Sequence, residues 1–390
     1  MLKKELNMLK KEFKTNSASL HIEEIYTVYL KKDNNKIIFS EVAYFDTLDE
    51  AKQELYYNSF KKILGGSLDT KLFQLSFQEK YENEYINVFN DILSTESKED
   101  FCDRAMVLVG SMGEYYKYDT DVVITFIRAE YWKGSTLKKS QNASDIIQEE
   151  SLNSYRFILA GISSIDTPKS SLKFDFETQS LNTSAPLEYV VNIAAPLEGI
   201  LFPVLSDGYS DVNSLMYYVS KGKLFNEDYL DKVFGCAVPR SAKDELEGFN
   251  EILNLVAPGS MTTVAMKIIY EALNEIMMFC EEKEEATVDS KALTKIIIAA
   301  ELSEPGNMEE IFEEVLGNKY YELKIKNIIP DFDSKSVKIK SAFADISITP
   351  ADLNTVKQVR DEKGNRCLLI EIDEGASING LFLNNDLIGK

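Results

Sequence analysis

Carboxylates beside expected strand ends are the residues best suited to chemistry. Asp207 and Asp211, with Ser206 and Ser210, form Ser-Asp-Gly-Tyr-Ser-Asp directly after an apolar run, Gly199–Leu205. Carboxylates on a loop at a strand end can hold Mg²⁺ or activate a water for attack on a phosphoester. Asp119 and Asp121 flank the start of another expected strand, Val122–Ile127. If the two acid pairs meet across strand ends, they bind one divalent ion. Local structure accounts for the same residues without a metal. Asp207-Gly208 makes a turn, and Ser210 or Asp211 caps a helix running to Tyr218. Asp119 and Asp121 are then solvated strand-end residues. The second account is preferred, so no metal or cofactor is predicted.

His21 is the only histidine. A Ser-His-Asp or Cys-His site would have to use it, yet it stands at the entry to an expected strand with no nucleophile nearby in sequence. Histidine-rich metal sites are excluded. Cys102, Cys236, Cys280 and Cys367 are scattered and form no C-x-x-C pair, so they read as reduced thiols rather than zinc ligands or a disulfide framework. Gly110-Ser111-Met112-Gly113 after an apolar run invites a phosphate-cradling reading, but no G-x-x-x-x-G-K-[ST] or G-x-G-x-x-G is present, and a turn between strands is expected.

Arg128, Tyr131 and Trp132, near Lys133, Lys138 and Lys139, form a basic-aromatic cluster of the kind that stacks single-stranded nucleic acid. A strand end beside a loop explains them equally, and the chain's charge favours that reading. Lysine plus arginine total 43 against 64 acidic residues, a net charge of 43 − 64 = −21, which disfavours direct nucleic-acid binding and docking on anionic lipid. The opening segment spaces Leu2, Leu6, Leu9 and Phe13 as one helical stripe, with Lys3, Lys4, Lys10, Lys11 and Lys14 beside or opposite it. That helix docks on the protein's own core or presents its lysines to a partner. Glu281–Glu285 and Glu309–Glu314 are acidic runs, expected to be solvated faces.

Elements that must position these residues follow from periodicity. Ile22–Lys31 and Lys36–Tyr44 read as a β-hairpin, and Asp46–Leu64 as a helix capped by Thr47 or Asp49 and stopped at Gly65-Gly66. Glu79–Leu93 and Lys98–Arg104 read as helices. Strands are expected at Ala105–Gly110, Val122–Tyr131, Arg156–Ser163 and Tyr189–Ala194, with loops at Ser135–Asn153 and Ser164–Ser184. Asp211–Val219 and Asp228–Phe234 read as helical. Thr262–Glu282 is apolar around most of its surface, which predicts a helix buried between layers. Ser290 is the expected cap of a helix through Leu302, and Asn307 opens a third that Gly317 stops. After Glu322 the pattern alternates, as in Val337/Ile339 and Ile346/Ile348, and predicts short strands. The fold class is therefore α+β: a mixed sheet with covering helices, a helical segment and a small β-rich C-terminal unit. The expected domains are 1–244, 245–322 and 323–390.

Several stretches resemble an uncharacterised bacterial family, the domain of unknown function numbered 4317. They are the opening KKEL-x-x-L-K-K-E-F, Phe60–Leu68 (FKKILGGSL), Ala195–Tyr218 (APLEGILFPVLSDGYSDVNSLMYY), Phe234–Cys236 and Arg366–Gly380 (RCLLIEIDEGASING). The resemblance spans nearly the whole chain. It differs after the Asp matching Asp207, where that family usually has Arg and this chain has Gly208. The resemblance implies a bacterial cytosolic protein and transfers no activity. With no catalytic signature, no secretory signal and no stretch of ~18 apolar residues to cross a membrane, the leading expectation is a non-enzymatic, cytoplasmic interaction or regulatory protein. Its partner is expected to be a protein, basic or within a ribonucleoprotein. A metal-dependent phosphoester hydrolase using Asp207 and Asp211 is the alternative. A small-ligand binder with a cleft lined by Tyr115, Tyr116, Tyr217 and Tyr218 is the third reading.

Overall fold

A computed structural model describes residues 3–382 except 79–81, 116–117, 134–152, 167–170, 185–188, 207, 222–226, 281–285, 303–305, 342, 362, 373–374, 376 and 379–380. The chain divides into two compact units, 1–241 and 242–390.

Unit 1 opens with helix α1 (Lys3–Glu12), the hairpin β1 (Leu20–Lys31) and β2 (Lys36–Tyr44), helix α2 (Glu50–Leu64) and strand β3 (Leu72–Ser76). Helices α3 (Glu82–Leu93) and α4 (Lys98–Glu114) precede the long pair β4 (Val122–Lys133) and β5 (Asn153–Asp166). Short strands follow: β6 (Ser171–Asp175), β7 (Ser180–Ser184), β8 (Val190–Val191), β9 (Glu198–Phe202), β10 (Val204–Ser206), β11 (Tyr209–Asp211) and β12 (Ser214–Val219). A π-helical turn, Tyr229–Val233, lies near the end of the unit.

The main sheet has the order β2-β1-β4-β5-β9-β12-β3, with β8 added to β5. Every strand pairing in it is antiparallel, where a mixed sheet was expected. A parallel neighbour needs a crossover connection of a dozen or more residues. Here β1 and β2 turn back on each other through four residues, 32–35, and β9 returns as β12 through the β10–β11 hairpin.

Both faces of the sheet are covered, so its central strands are apolar on both sides. Alternation along β4 sends Val122, Ile124 and Phe126 to one core and Ile127, Ala129 and Tyr131 to the other. The first core is closed by α3 and α4 through Phe89, Phe101, Ala105, Leu108, Val109 and Met112. The second is closed by α1 and α2 through Leu6, Leu9, Phe13, Phe60, Ile63 and Leu64. Two glycines set how closely α2 approaches. A Cβ on Gly161 or Gly199 would stand 2.8 Å from the Ile63 side chain, well inside van der Waals contact.

Two sequence expectations change here. Ala105–Gly110 is not a strand but the middle of α4, and Gly110-Ser111-Met112-Gly113 is its last full turn rather than a loop. A short apolar run fits either element. The longer view decides it, because Phe101, Ala105, Leu108, Val109 and Met112 recur at helical spacing on the buried side. Conversely, Asp211–Val219 is not a helix. All six residues of β12 are buried, as expected of a central strand covered on both faces. The cap expected at Asp49 is present, its carboxylate accepting the Lys52 N–H at 2.9 Å.

Unit 2 contains α5 (Ala242–Val256), α6 (Thr263–Phe279), β13 (Thr287–Val288), α7 (Ser290–Ala299), α8 (Met308–Leu316), β14 (Leu323–Lys324) and α9 (Ile325–Ile328). One core joins them, including Phe249, Ile269, Leu293, Phe312 and, past residue 322, Leu323, Ile325 and Ile328. Asp289, not Ser290, caps α7, accepting the Ala292 N–H at 2.7 Å. Gly317 ends α8 in the left-handed conformation, φ 69°. Helix α6 is not buried all round. Ala265, Ile269 and Leu273 face the core, while Val264, Met278 and Phe279 are exposed. Three antiparallel hairpins complete the unit: β15 (Val337–Lys340) with β16 (Asp345–Ile348), β17 (Val356–Arg360) with β18 (Arg366–Ile370), and β19 (Ser377–Ile378) with β20 (Leu381–Phe382).

Candidate functional site

The polar site begins with a defect in β1. His21, Ile22 and Glu24 pair with Glu130, Ala129 and Arg128 of β4, so Glu23 is an extra residue and the register shifts around it. A bulge of this kind re-aims side chains and is common beside functional sites. Its effect here is that both Glu23 and Glu24 reach Arg128. The Arg128 Nε and Nη2 atoms donate to the two oxygens of Glu24 at 3.0 and 2.7 Å. Nε also lies 2.9 Å from a Glu23 oxygen. Nη1 donates to the Thr95 carbonyl and, at 2.7 Å, to the Thr95 hydroxyl. The guanidinium carbon sits 5.6 Å from the centre of the Phe101 ring.

Arg128 is 2% exposed and its donors are committed. It is a structural cation, fixed by a fork geometry that lysine cannot reproduce. Glu23 is less enclosed, its side chain 24% exposed, and also lies 3.5 Å from Arg156.

Above this network opens a cleft of about 420 Å³ lined by His21, Glu23, Glu24, Tyr44, Asp46, Thr47, Glu96, Lys98 and Arg128. Four carboxylates against two cations give its lining a formal charge of 2 − 4 = −2. Its walls carry aromatic surface. His21 stacks on Trp132 with ring centres 6.5 Å apart, and the Lys98 ammonium lies 5.1 Å from the Tyr44 ring centre. Carboxylates beside aromatic faces attract cations through both charge and ring quadrupole. Among the described residues no Ser or Cys lines the cleft beside His21, and the Thr47 hydroxyl donates to the Tyr44 carbonyl at 2.7 Å.

A second polar cluster is sealed inside unit 1. Glu198, at the start of β9, is 6% exposed, and the Tyr217 hydroxyl donates to it at 2.7 Å. Tyr118 turns its hydroxyl toward the same carboxylate. Burial pushes the Glu198 carboxyl up to about 7, and burial together with Glu198 raises the Tyr118 phenol well above its ordinary value. The adjoining cavity measures about 10 Å³, room for one water, between Met112, Phe126, Ile162, Tyr217 and Phe234.

Of the acidic residues expected to share a metal, Asp211 is not brought to Asp119 or Asp121. Asp207 lies outside the described residues. Asp211 ends β11, where its carboxylate accepts the Asn213 N–H at 3.0 Å instead of capping a helix. Asp121 accepts the Tyr29 hydroxyl at 2.6 Å and the Lys32 N–H at 2.9 Å. Burial opposes ionisation of Asp121, but these hydrogen bonds outweigh it and lower its pKa. Asp119 stays exposed, its carbonyl accepting from the Lys32 ammonium at 2.7 Å. Strand register separates the two places. Phe202 ends β9 opposite Ile158, whereas Asp121 adjoins Val122, which pairs with Ser164. The offset of 164 − 158 = 6 residues along β5 is roughly 20 Å. Among the described residues no group of three or more His, Cys, Asp or Glu side chains is placed to hold a metal ion.

The basic-aromatic cluster is also divided. Arg128 and Trp132 share one face of β4, while Tyr131 points into the opposite core at 5% exposure. Lys138 and Lys139 lie outside the described residues. The four-tyrosine cleft does not form, since Tyr217 and Tyr218 are buried in different cores; Tyr116 is outside the described residues, and Tyr115 caps the end of α4 beside Lys232. Helix α1 docks through Leu6, Leu9 and Phe13, leaving Lys3, Lys4, Lys11 and Lys14 exposed and Lys10 half-buried. Its buried Glu5 accepts the Gly208 N–H at 2.8 Å, tying α1 to the β10–β11 turn, where Gly208 takes φ 82°. Glycine suits that left-handed backbone.

Glu23, Glu24, Thr95 and Glu198 were not singled out from sequence. The available signal was two adjacent carboxylates inside the apolar strand His-Ile-Glu-Glu-Ile-Tyr, and a glutamate opening the run Glu-Gly-Ile-Leu-Phe.

Two stretches of the chain that carry the family resemblance therefore meet, at Glu5 and Gly208. A family model described as "Domain of unknown function (DUF4317)" matches residues 1–381. No curated protein and no solved structure matches the chain. With that match extending over nearly its whole length, the chain belongs to the DUF4317 family.

Proposed function

We propose that this protein is a non-enzymatic interaction protein of the bacterial cytosol, whose acidic cleft receives a cationic side chain from a basic protein partner, free or within a ribonucleoprotein. The observation that carries this reading is the cleft of about 420 Å³ itself. Its buried cation is already neutralised by Glu24 and Glu23, while Asp46 and Glu96 are left at its rim. A guanidinium or ammonium entering between them gains charge pairing beside the His21 and Tyr44 rings that line the cleft. The cytosolic reading is supported by four cysteines of which none is in a disulfide. Among the described residues no helix is long and apolar enough to cross a membrane. The separation of Asp211 from Asp119 and Asp121 argues against the hydrolase alternative.

Fluorescence titration with an arginine-rich peptide tests the reading, with Trp132 as reporter. Binding is expected to weaken about tenfold in a Glu23→Gln, Asp46→Asn double variant and to weaken further with salt. Affinity unchanged by the double substitution would overturn it. The volume also suits a small organic cation, since ligand sites of roughly 300–1,000 Å³ are common. Agmatine binding as tightly as the peptide would favour that second reading.

A further inference from the structure

The β17–β18 hairpin of unit 2 places two arginines directly opposite each other. Arg360 pairs with Arg366 across the ladder, next to the turn. Like charges at opposed positions destabilise a strand pair. Both side chains are exposed, so nothing forces the pairing by burial. Arg360 uses one donor on the Gly364 carbonyl at 3.0 Å. Neither arginine has a carboxylate ion partner among the described residues.

The neighbouring acid is engaged elsewhere. Asp361 accepts the N–H groups of Lys363 and Asn365 at 2.9 and 2.7 Å, and the Asn365 side-chain amide at 2.9 Å. The Asn365 side chain and these backbone donors hold its carboxyl below the usual range. That carboxylate is committed to the turn, which Gly364 closes at φ 81°. The other face of the hairpin differs. There Lys357 is neutralised by Glu371 at 2.6 Å. Alternation puts Gln358 on the arginine face, and exposed Lys363 stands in the turn. Among the described residues one face of the hairpin is thus charge-balanced, and the other carries two arginines without a carboxylate ion partner.

We propose that Arg360 and Arg366, with Lys363, form a binding site for the phosphate dianion of a small molecule. Opposed side chains start ~4.5–5.5 Å apart at Cβ, so two guanidinium forks can close on one tetrahedral oxyanion. A carboxylate carries one charge and leaves one arginine unneutralised. A long polyanion is disfavoured by the whole chain's net charge of −21, whereas a compact dianion meets mainly the local fork.

The test is titration of the full chain with phenyl phosphate, inorganic phosphate and a short single-stranded oligonucleotide, read by ³¹P line broadening and calorimetry. Saturable binding of phosphate is expected, weakened about tenfold by Arg360→Gln and likewise by Arg366→Gln, the factor for one charge-assisted hydrogen bond. Lys357→Gln, on the balanced face, is expected to leave it unchanged. The two arginine variants are also expected to melt no lower than the parent, because each relieves a repulsive pair. Tighter binding of phenyl phosphate than of inorganic phosphate identifies an ester ligand; equal binding identifies free phosphate. Lack of binding up to about 20 mM, or equal binding by parent and arginine variants, would overturn the site. Preference for the oligonucleotide would overturn the small-molecule assignment.

Discussion

Replacing Glu198 with Gln isolates the energetic cost of a carboxylate kept inside the sheet. In the folded chain burial pushes this group from 4.5 up to about 7. The folded state therefore holds its proton over a pH range in which the unfolded state has released it. The unfolded state binds fewer protons there, so stability falls as pH rises. The favourable contribution is complete below about pH 4.5 and is lost by the time pH has passed about 7. At ~1.4 kcal/mol for each pKa unit, the full difference is about 3.5 kcal/mol. The substituted glutamine side chain cannot ionise, yet its amide oxygen can still accept from the Tyr217 hydroxyl. The assay is urea unfolding of parent and variant at about pH 5 and about pH 8. The chain has one tryptophan, Trp132 in β4, so its fluorescence follows the unit that contains Glu198. Other groups also titrate between these values, and subtracting the variant's pH response removes them. Between these two pH values the parent should lose about 2.5 kcal/mol more than the variant. Equal losses would refute the reasoning and mean that Glu198 is solvated or paired with a cation.

Arg128→Met should destabilise unit 1 by about 3–5 kcal/mol, because it strands Glu24 as an unpaired buried charge. Adding Glu24→Gln to it should recover much of that loss in urea unfolding. Gly161→Ala should cost about 1–3 kcal/mol by overpacking against Ile63. Thermal melts should show the cost reduced when Ile63→Val is combined with it, since the clash at 2.8 Å is with the Cδ1 atom that this change removes.

The residues alone determined much of the local structure. Alternating apolar positions predicted the β1–β2 hairpin, and the polar turn at 32–35 joins it as expected. The Asp49 cap and the Gly317 stop were legible because capping depends on neighbours one to four residues away. The stripe Leu6, Leu9, Phe13 announced a docked helix for the same reason. The α+β class followed from these elements.

Where sequence misled, the missing information was which surfaces other segments cover. Residues 105–110 and 211–219 carry apolar content that suits helix or strand. Burial on one side made the first part of α4, and burial on both sides made the second β12. The site depended still more on distant partners. Glu24 and Arg128 are 104 residues apart, and a single-residue register shift in β1 brings Glu23 to the same guanidinium. Asp121 and Asp211, both at strand ends in the sequence, were sent to separate places by the strand register of β5 and β9. Side-chain periodicity records which way a residue points within its own element. It holds no record of the strand that element will pair with, because pairing is selected by the summed burial of the whole sheet.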